Sequence, residues 1–369
     1  MKKNKLLLLA LAPLVLAGCG EGNGAWDPTA EPEVEKTLTA KEAAPTIKAA
    51  AKSFAETKGL GFKVEGYAKA DVTIKTKATE GITGLADSYQ STVDLSGIEA
   101  NVAARFDEGI LKSGFAASAD FKAKLNANIN LFAPDTEKST ESTIVMKDVK
   151  ETVNSEVSAT ASYEENVVYA DLTGFQPLNE LANKLSGYGD TAGIEIDTSS
   201  IFSKIKVTVQ PGIVTFMLPM LPSLLGGLID GMASSLESGD TQPGENVAFK
   251  KYKDGTYGTT VSLSAQQIAD FASTFTGGTV EGMDKINGTL NTLIVFSEKG
   301  LISVGLKENF STAEFAPTTT GDVEIPVQSV SATSDAGLKL TFTTGDDVTV
   351  NKVTDKSAYK DITPATEEE

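Results

Sequence analysis

The chain has no histidine and only one cysteine. Without histidine it lacks the commonest general base, the commonest transition-metal ligand and the usual sensor of mild acid. Ser-His-Asp and Cys-His catalysis, HExxH zinc chemistry and His-rich metal sites are therefore excluded. A lone cysteine cannot form an internal disulfide. Basic residues are scarce as well: 32 Lys and Arg stand against 50 Asp and Glu, for a formal charge of −18. Phosphate contact needs a basic face, so nucleic acid is not an expected partner. No DxDxDG loop gathers the carboxylates for calcium. Carboxylate chemistry or a Ser-Lys pair survives on inventory alone, and no catalytic residue, metal or cofactor is expected.

The cysteine that is present sits in an informative place. Lys2, Lys3 and Lys5 precede an apolar run from Leu6 to Ala17, which ends in Leu16-Ala17-Gly18-Cys19. The run is too short for a comfortable membrane span and ends in small residues. This pattern resembles bacterial lipoprotein signal peptides with a lipobox. The resemblance implies cleavage after residue 18, a diacylglycerol on Cys19 with an N-acyl chain as a possible third, and anchoring to the cell membrane or outer membrane, facing outside the cytoplasm. Removing residues 1–18 would make the chain still more acidic. With Cys19 acylated, no thiol remains for a nucleophile or a zinc site.

Residues 19–40 are rich in glycine, proline and acidic side chains, as in Gly20-Glu21-Gly22-Asn23-Gly24 and the run to Glu35. They read as a flexible tether. From Pro45 to Thr57, Ile47, Ala50, Ala51 and Phe54 recur at helical spacing, with Gly59 as a stop. The period then changes to two. Alternation over 61–76, 92–95, 100–106, 115–131, 143–149, 151–163 and 167–172 predicts long, one-sided strands. Pro177 to Leu185 reads as a short helix. Alternation returns over 201–209, 249–253, 257–263, 290–297, 301–306, 323–331, 338–343 and 347–353. Asp254-Gly255 marks a hairpin, and Ser264 with Gln267 a capping box that opens another helix. The tail, 363–369, is acidic. Residues 41–362 read as a single elongated β-rich domain. The expected class is α+β, β-dominated: a long curved antiparallel sheet, a half-barrel, covered on its concave face by a few helices.

One segment asks for a functional explanation. Pro211 to Ile229 carries no charge, and its prolines and glycines, with strand patterns on both sides, argue against a membrane span. It reads either as buried core, helical from about Pro222 to Leu236, or as a Met-rich lid over an apolar cavity. The candidate ligand-binding residues are Phe216, Met217, Met220, Leu221, Leu224, Leu225, Leu228, Ile229 and Met232. Asp230 and Glu237 lie nearby, with no reactive partner evident.

The order of lipobox, tether, N-terminal helix, long strands, apolar helices and further strands resembles LolA-like and LppX-type lipoproteins over most of residues 41–360. That resemblance implies a strongly curved half-barrel closed by helices, and carriage of a lipid or another hydrophobic ligand. A surface-exposed adhesin or structural envelope lipoprotein without a small-molecule ligand is the alternative, for which Thr/Ser-rich strands and acidity suffice. A solute-binding protein fits poorly, because the β-α alternation of that class is missing.

Overall fold

In a computed structural model, the structure describes residues 26–106, 115–140, 142–186, 202–209, 248–268, 285–312, 314–315 and 326–363, together with Ser223, Gly227, Asp230, Gly231, Ala233 and Ser234. Strand β1 (Val34–Leu38) leads into helix α1 (Ala40–Ala55). The long strands β2 (Gly59–Thr76), β4 (Ser88–Phe106), β5 (Phe115–Pro134) and β6 (Ile144–Glu164) follow, with the two-residue β3 (Ile82–Thr83) between β2 and β4. At about 3.3 Å per residue, the 21 residues of β6 extend for roughly 70 Å.

Next come β7 (Val167–Asp171), α2 (Gln176–Ser186), β8 (Lys204–Thr208), β9 (Ala248–Tyr252) and β10 (Tyr257–Ser264). The strands close with β11 (Ile286–Ser297), β12 (Gly300–Thr312), β13 (Val327–Thr344) and β14 (Lys360–Asp361). All fourteen belong to one sheet, ordered β1-β9-β10-β11-β12-β13-β2-β4-β5-β6-β7-β8-β14, with β3 beside β6. Neighbours are antiparallel except in the β14–β8 and β3–β6 pairs. The second half of the chain joins the first through β13 and β2, paired from Thr344↔Leu60 to Val327↔Thr76.

The sheet has an apolar face and a more polar one, as period-two alternation favours; on the latter, Tyr252, Leu293 and Val295 form a small buried cluster. On the apolar face, Val72, Ile74, Tyr89, Leu125, Ala127, Ile129 and Val157 build the main core across β2, β4, β5 and β6. Phe175, Leu178 and Leu181, from the turn before α2 and from α2 itself, pack against that core. Ala43 and Ile47 of α1 make a second core with Leu38, Phe249, Phe296 and the helical Ala233.

Helix α1 begins five residues before Pro45, because Thr39 and Glu42 form a reciprocal capping box: the Thr39 N–H donates to the Glu42 carboxylate at 2.8 Å and the Glu42 N–H to Thr39 Oγ1 at 3.3 Å. The expected face of Ile47, Ala50, Ala51 and Phe54 is the buried one.

The structure corrects the expected α+β half-barrel covered on its concave face by helices. Strands dominate, in a single fourteen-stranded sheet with few helices. Among the described residues, α1 packs mainly on β1, β9, β11 and β12, with Phe54 against Phe342 of β13, and α2 mainly on β6. Segments of the two chain ends, rather than helices, lie across the polar face. The expected tether is revised for the same reason. Residues 26–40 are seated on the sheet or begin α1, while residues 19–25 lie outside the described residues. The expected strand at 347–353 is instead a short 3-10 turn, Gly345–Asp347, followed by irregular chain. Among the described residues, no helix is long and apolar enough to cross a membrane.

Candidate functional site

All nine apolar candidates, Phe216, Met217, Met220, Leu221, Leu224, Leu225, Leu228, Ile229 and Met232, lie outside the described residues, as does Cys19. What is described of that region is informative. Ser223, Gly227, Asp230, Gly231 and Ser234 are helical and exposed. Ala233 is fully buried beside α1.

Two surfaces of the sheet remain as candidate sites. The first lies on the apolar face. Directly opposed residues of neighbouring strands point to the same side. The register therefore lines up Ala100, Val64, Leu340, Val304 and Ile294 across β4, β2, β13, β12 and β11. The next row along is Ile98, Gly66, Leu338, Leu306 and Thr292. The side chains in these rows are half-buried, between the main core and the α1 core. Glu308 of β12 lies in the following row, between Leu290 and Ala336. Burial pushes its carboxyl above the ordinary value and the Asp335 charge adds to that, against a hydrogen bond with Ser334. The arrangement is a broad apolar strip with one carboxyl group at its side.

The second surface is on the polar face, where two chain segments cross the strands. At one end, Trp26 stacks edge-on against Tyr67 with ring centroids 6.0 Å apart. Pro28 lies over Gly305 and Gly337, where any side chain would meet it. Asp27 pairs with Lys307 at 3.2 Å, and Glu31 with Lys250 at 2.6 Å and with Thr260 at 2.8 Å. Glu33 meets Lys253, and Glu35 meets Lys251. Burial raises the Glu31 carboxyl, but hydrogen bonds from Lys250 and Thr260, with the Lys250 charge, outweigh it and hold the group below its ordinary value. Asp27 behaves likewise: burial is outweighed by its bonds from Thr29 and Lys307.

After β13 the chain crosses the polar face in the other direction. Val348 packs on Gly59 and Gly61, and Arg105 donates to the carbonyls of Asp346 and Val348. The Asn351 N–H donates to Ser118 Oγ at 3.0 Å and the Val353 N–H to Glu164 at 2.9 Å. Tyr359 meets Tyr169 edge-on at 5.4 Å, and β14 then pairs with β8.

Between this segment and the sheet lies a cleft of about 300 Å³. Its floor is set by the register: Asp120 opposite Thr160, Ser118 opposite Ser162, and Ser162 opposite Tyr169. Asn101 donates to one oxygen of Asp120 at 2.8 Å. Lys204 is held by Asp171 at 3.2 Å and reaches over the Tyr359 ring, 5.9 Å from its centroid. Hydrogen bonding to Asp171 raises the Lys204 ammonium above its ordinary value. Hydrogen bonds from Ser357 hold Asp355 low, and the Lys204 charge adds to them. Ser162 is only 5% exposed and its Oγ has no hydrogen-bond partner. Sequence reasoning missed this cleft: its residues come from five stretches of chain, and each polar position reads alone as a solvated strand face.

Among the described residues, no group of three or more Asp, Glu, Cys or His could hold a metal ion. The chain matches no family model and no curated protein. Among solved structures it is similar to a crystal structure of a Pseudomonas aeruginosa FadL homologue, with 6% identity and a TM-score of 0.19 over 85% of this chain and 99% of that one. A likeness at that level assigns neither fold nor function.

Proposed function

We propose that this is an exported, lipid-anchored and non-enzymatic protein that holds a lipid or another hydrophobic ligand against the apolar face of its sheet. The observation that carries the reading is the half-buried apolar strip across five adjacent strands, β4, β2, β13, β12 and β11. Half-buried aliphatic surface of that extent favours an apolar occupant at about 25 cal/mol per Å² removed from water. Glu308, at the side of the strip, supplies a hydrogen-bonding carboxyl for a polar head. The anchor rests on the Leu16-Ala17-Gly18-Cys19 signal, and two or three acyl chains would hold the protein almost permanently.

Native mass spectrometry and organic extraction of the soluble chain from Gly20 onward test the ligand. Lipid recovered in fixed proportion to protein is the expected result. A consistently empty protein would sink the reading and favour a surface adhesin or envelope scaffold. Separately, Cys19→Ala should release the full chain from the membrane fraction, and its retention there would contradict the anchor.

A further inference from the structure

We infer that the polar cleft beneath the C-terminal segment is a second binding site, built for a small neutral polyhydroxylated ring such as a monosaccharide. This does not depend on the apolar strip, which lies on the opposite face of the sheet. The cleft's 300 Å³ is at the lower end of the range for small-molecule sites. Its floor carries Ser162 Oγ, buried and without a partner, where an unsatisfied hydroxyl is expensive. That atom is a donor and acceptor awaiting a third party.

The surrounding charges select the chemistry of the occupant. Asp120 and Asp355 line the same cleft as Lys204 and Lys352. A phosphate or carboxylate ligand would face the two aspartates, and a cation would face the two lysines. A neutral hydroxyl suits both signs, because it donates to a carboxylate and accepts from an ammonium group. One oxygen of Asp120 is oriented by Asn101, and Lys204 is positioned by Asp171. An alkyl chain would strand all four charges without water. Tyr169 and Tyr359, in edge contact at the wall with Lys356 and Lys204 over their rings, add aromatic edges that C–H groups of a sugar ring could meet.

Saturation-transfer NMR on the full chain, solubilised in a detergent without a sugar headgroup, tests the site with glucose, galactose and N-acetylglucosamine. Ring-proton transfer from at least one of the three is expected. Ser162→Ala should weaken that binding about fivefold, the loss of one hydrogen bond. The variant should melt no lower than the parent, because it removes a buried hydroxyl that has no protein partner. Asp120→Asn, at a half-buried position of the cleft floor, should weaken binding while leaving the far-UV circular dichroism unchanged. The inference is overturned if none of the three sugars gives transfer, or if the signal is the same in the parent and both variants.

Discussion

Gly305 and Gly337 are neither turn residues nor at positive φ; they are strand positions over which another segment passes. A methyl group at Gly305 would collide with the Pro28 carbonyl, which is backbone and cannot rotate aside. Gly305→Ala should therefore destabilise the protein by about 1–3 kcal/mol, the usual penalty for overpacking. Urea unfolding would show a lower midpoint, and an unchanged midpoint would mean that Pro28 does not press on the sheet. Tyr252 makes the opposite case. Its ring is fully buried while its hydroxyl lacks a hydrogen-bond partner. Burial, with the Glu31 and Asp254 charges, pushes its phenol up to about 12. Tyr252→Phe should be neutral or stabilising by about 1 kcal/mol, and in an alkaline absorbance titration it should remove the last phenol to ionise. Neither role is legible at its own position. A strand glycine or tyrosine gives no sign of what crosses it.

Among the elements, the long strands were the most readable, because alternation recurs along β2, β4, β5, β6 and β13, each 18 to 21 residues long. Irregularities hid their full length. The register shifts between Ser96 and Glu99, so alternation in β4 reads as two short runs rather than one. Strand β1 and the segment before it were misread for an electrostatic reason. Glu31, Glu33 and Glu35 look self-repelling in isolation, yet their counterions are Lys250, Lys253 and Lys251, more than 200 residues away.

That pairing sets a pH dependence. Asp27 and Glu31 have folded values below the ordinary 3.8 and 4.5. Their contribution is therefore complete above the ordinary values and is lost as pH falls through the folded ones. Trp26 is the only tryptophan and rides on the same segment, so its emission should shift red in acid before far-UV circular dichroism reports loss of the sheet. Simultaneous change in both signals would show that the segment has no independent transition.

At the scale of the molecule, two halves of the chain become one sheet through one long ladder, β2 against β13, and the short β1–β9 pair. Partners such as Leu60 and Thr344 are separated by most of the chain. Closure of so distant a contact is slow, and refolding from denaturant should take about a second or longer. A single millisecond phase carrying the full stopped-flow amplitude would contradict that closure as the limiting step. The balance between helix and sheet was the part the sequence could not settle. Apolar helical spacing around residues 47–54 and 178–185 is real, but spacing does not say how much of a wide sheet a helix covers. The cleft was equally hidden, because its parts meet only once β5, β6, β7, β8 and the C-terminal segment are aligned.

The seat of Trp26 limits how far the molecule could stand from an anchor on Cys19. Trp26 rests on Tyr67, near the middle of the polar face, and Cys19 is seven residues upstream. Fully extended, that stretch reaches at most about 25 Å. An acyl group on Cys19 would thus hold Trp26, and the polar face it rests on, within about 25 Å of the bilayer surface. The apolar strip lies on the opposite face from Trp26, so a lipid passing from the membrane to the strip would have to go around an edge of the sheet.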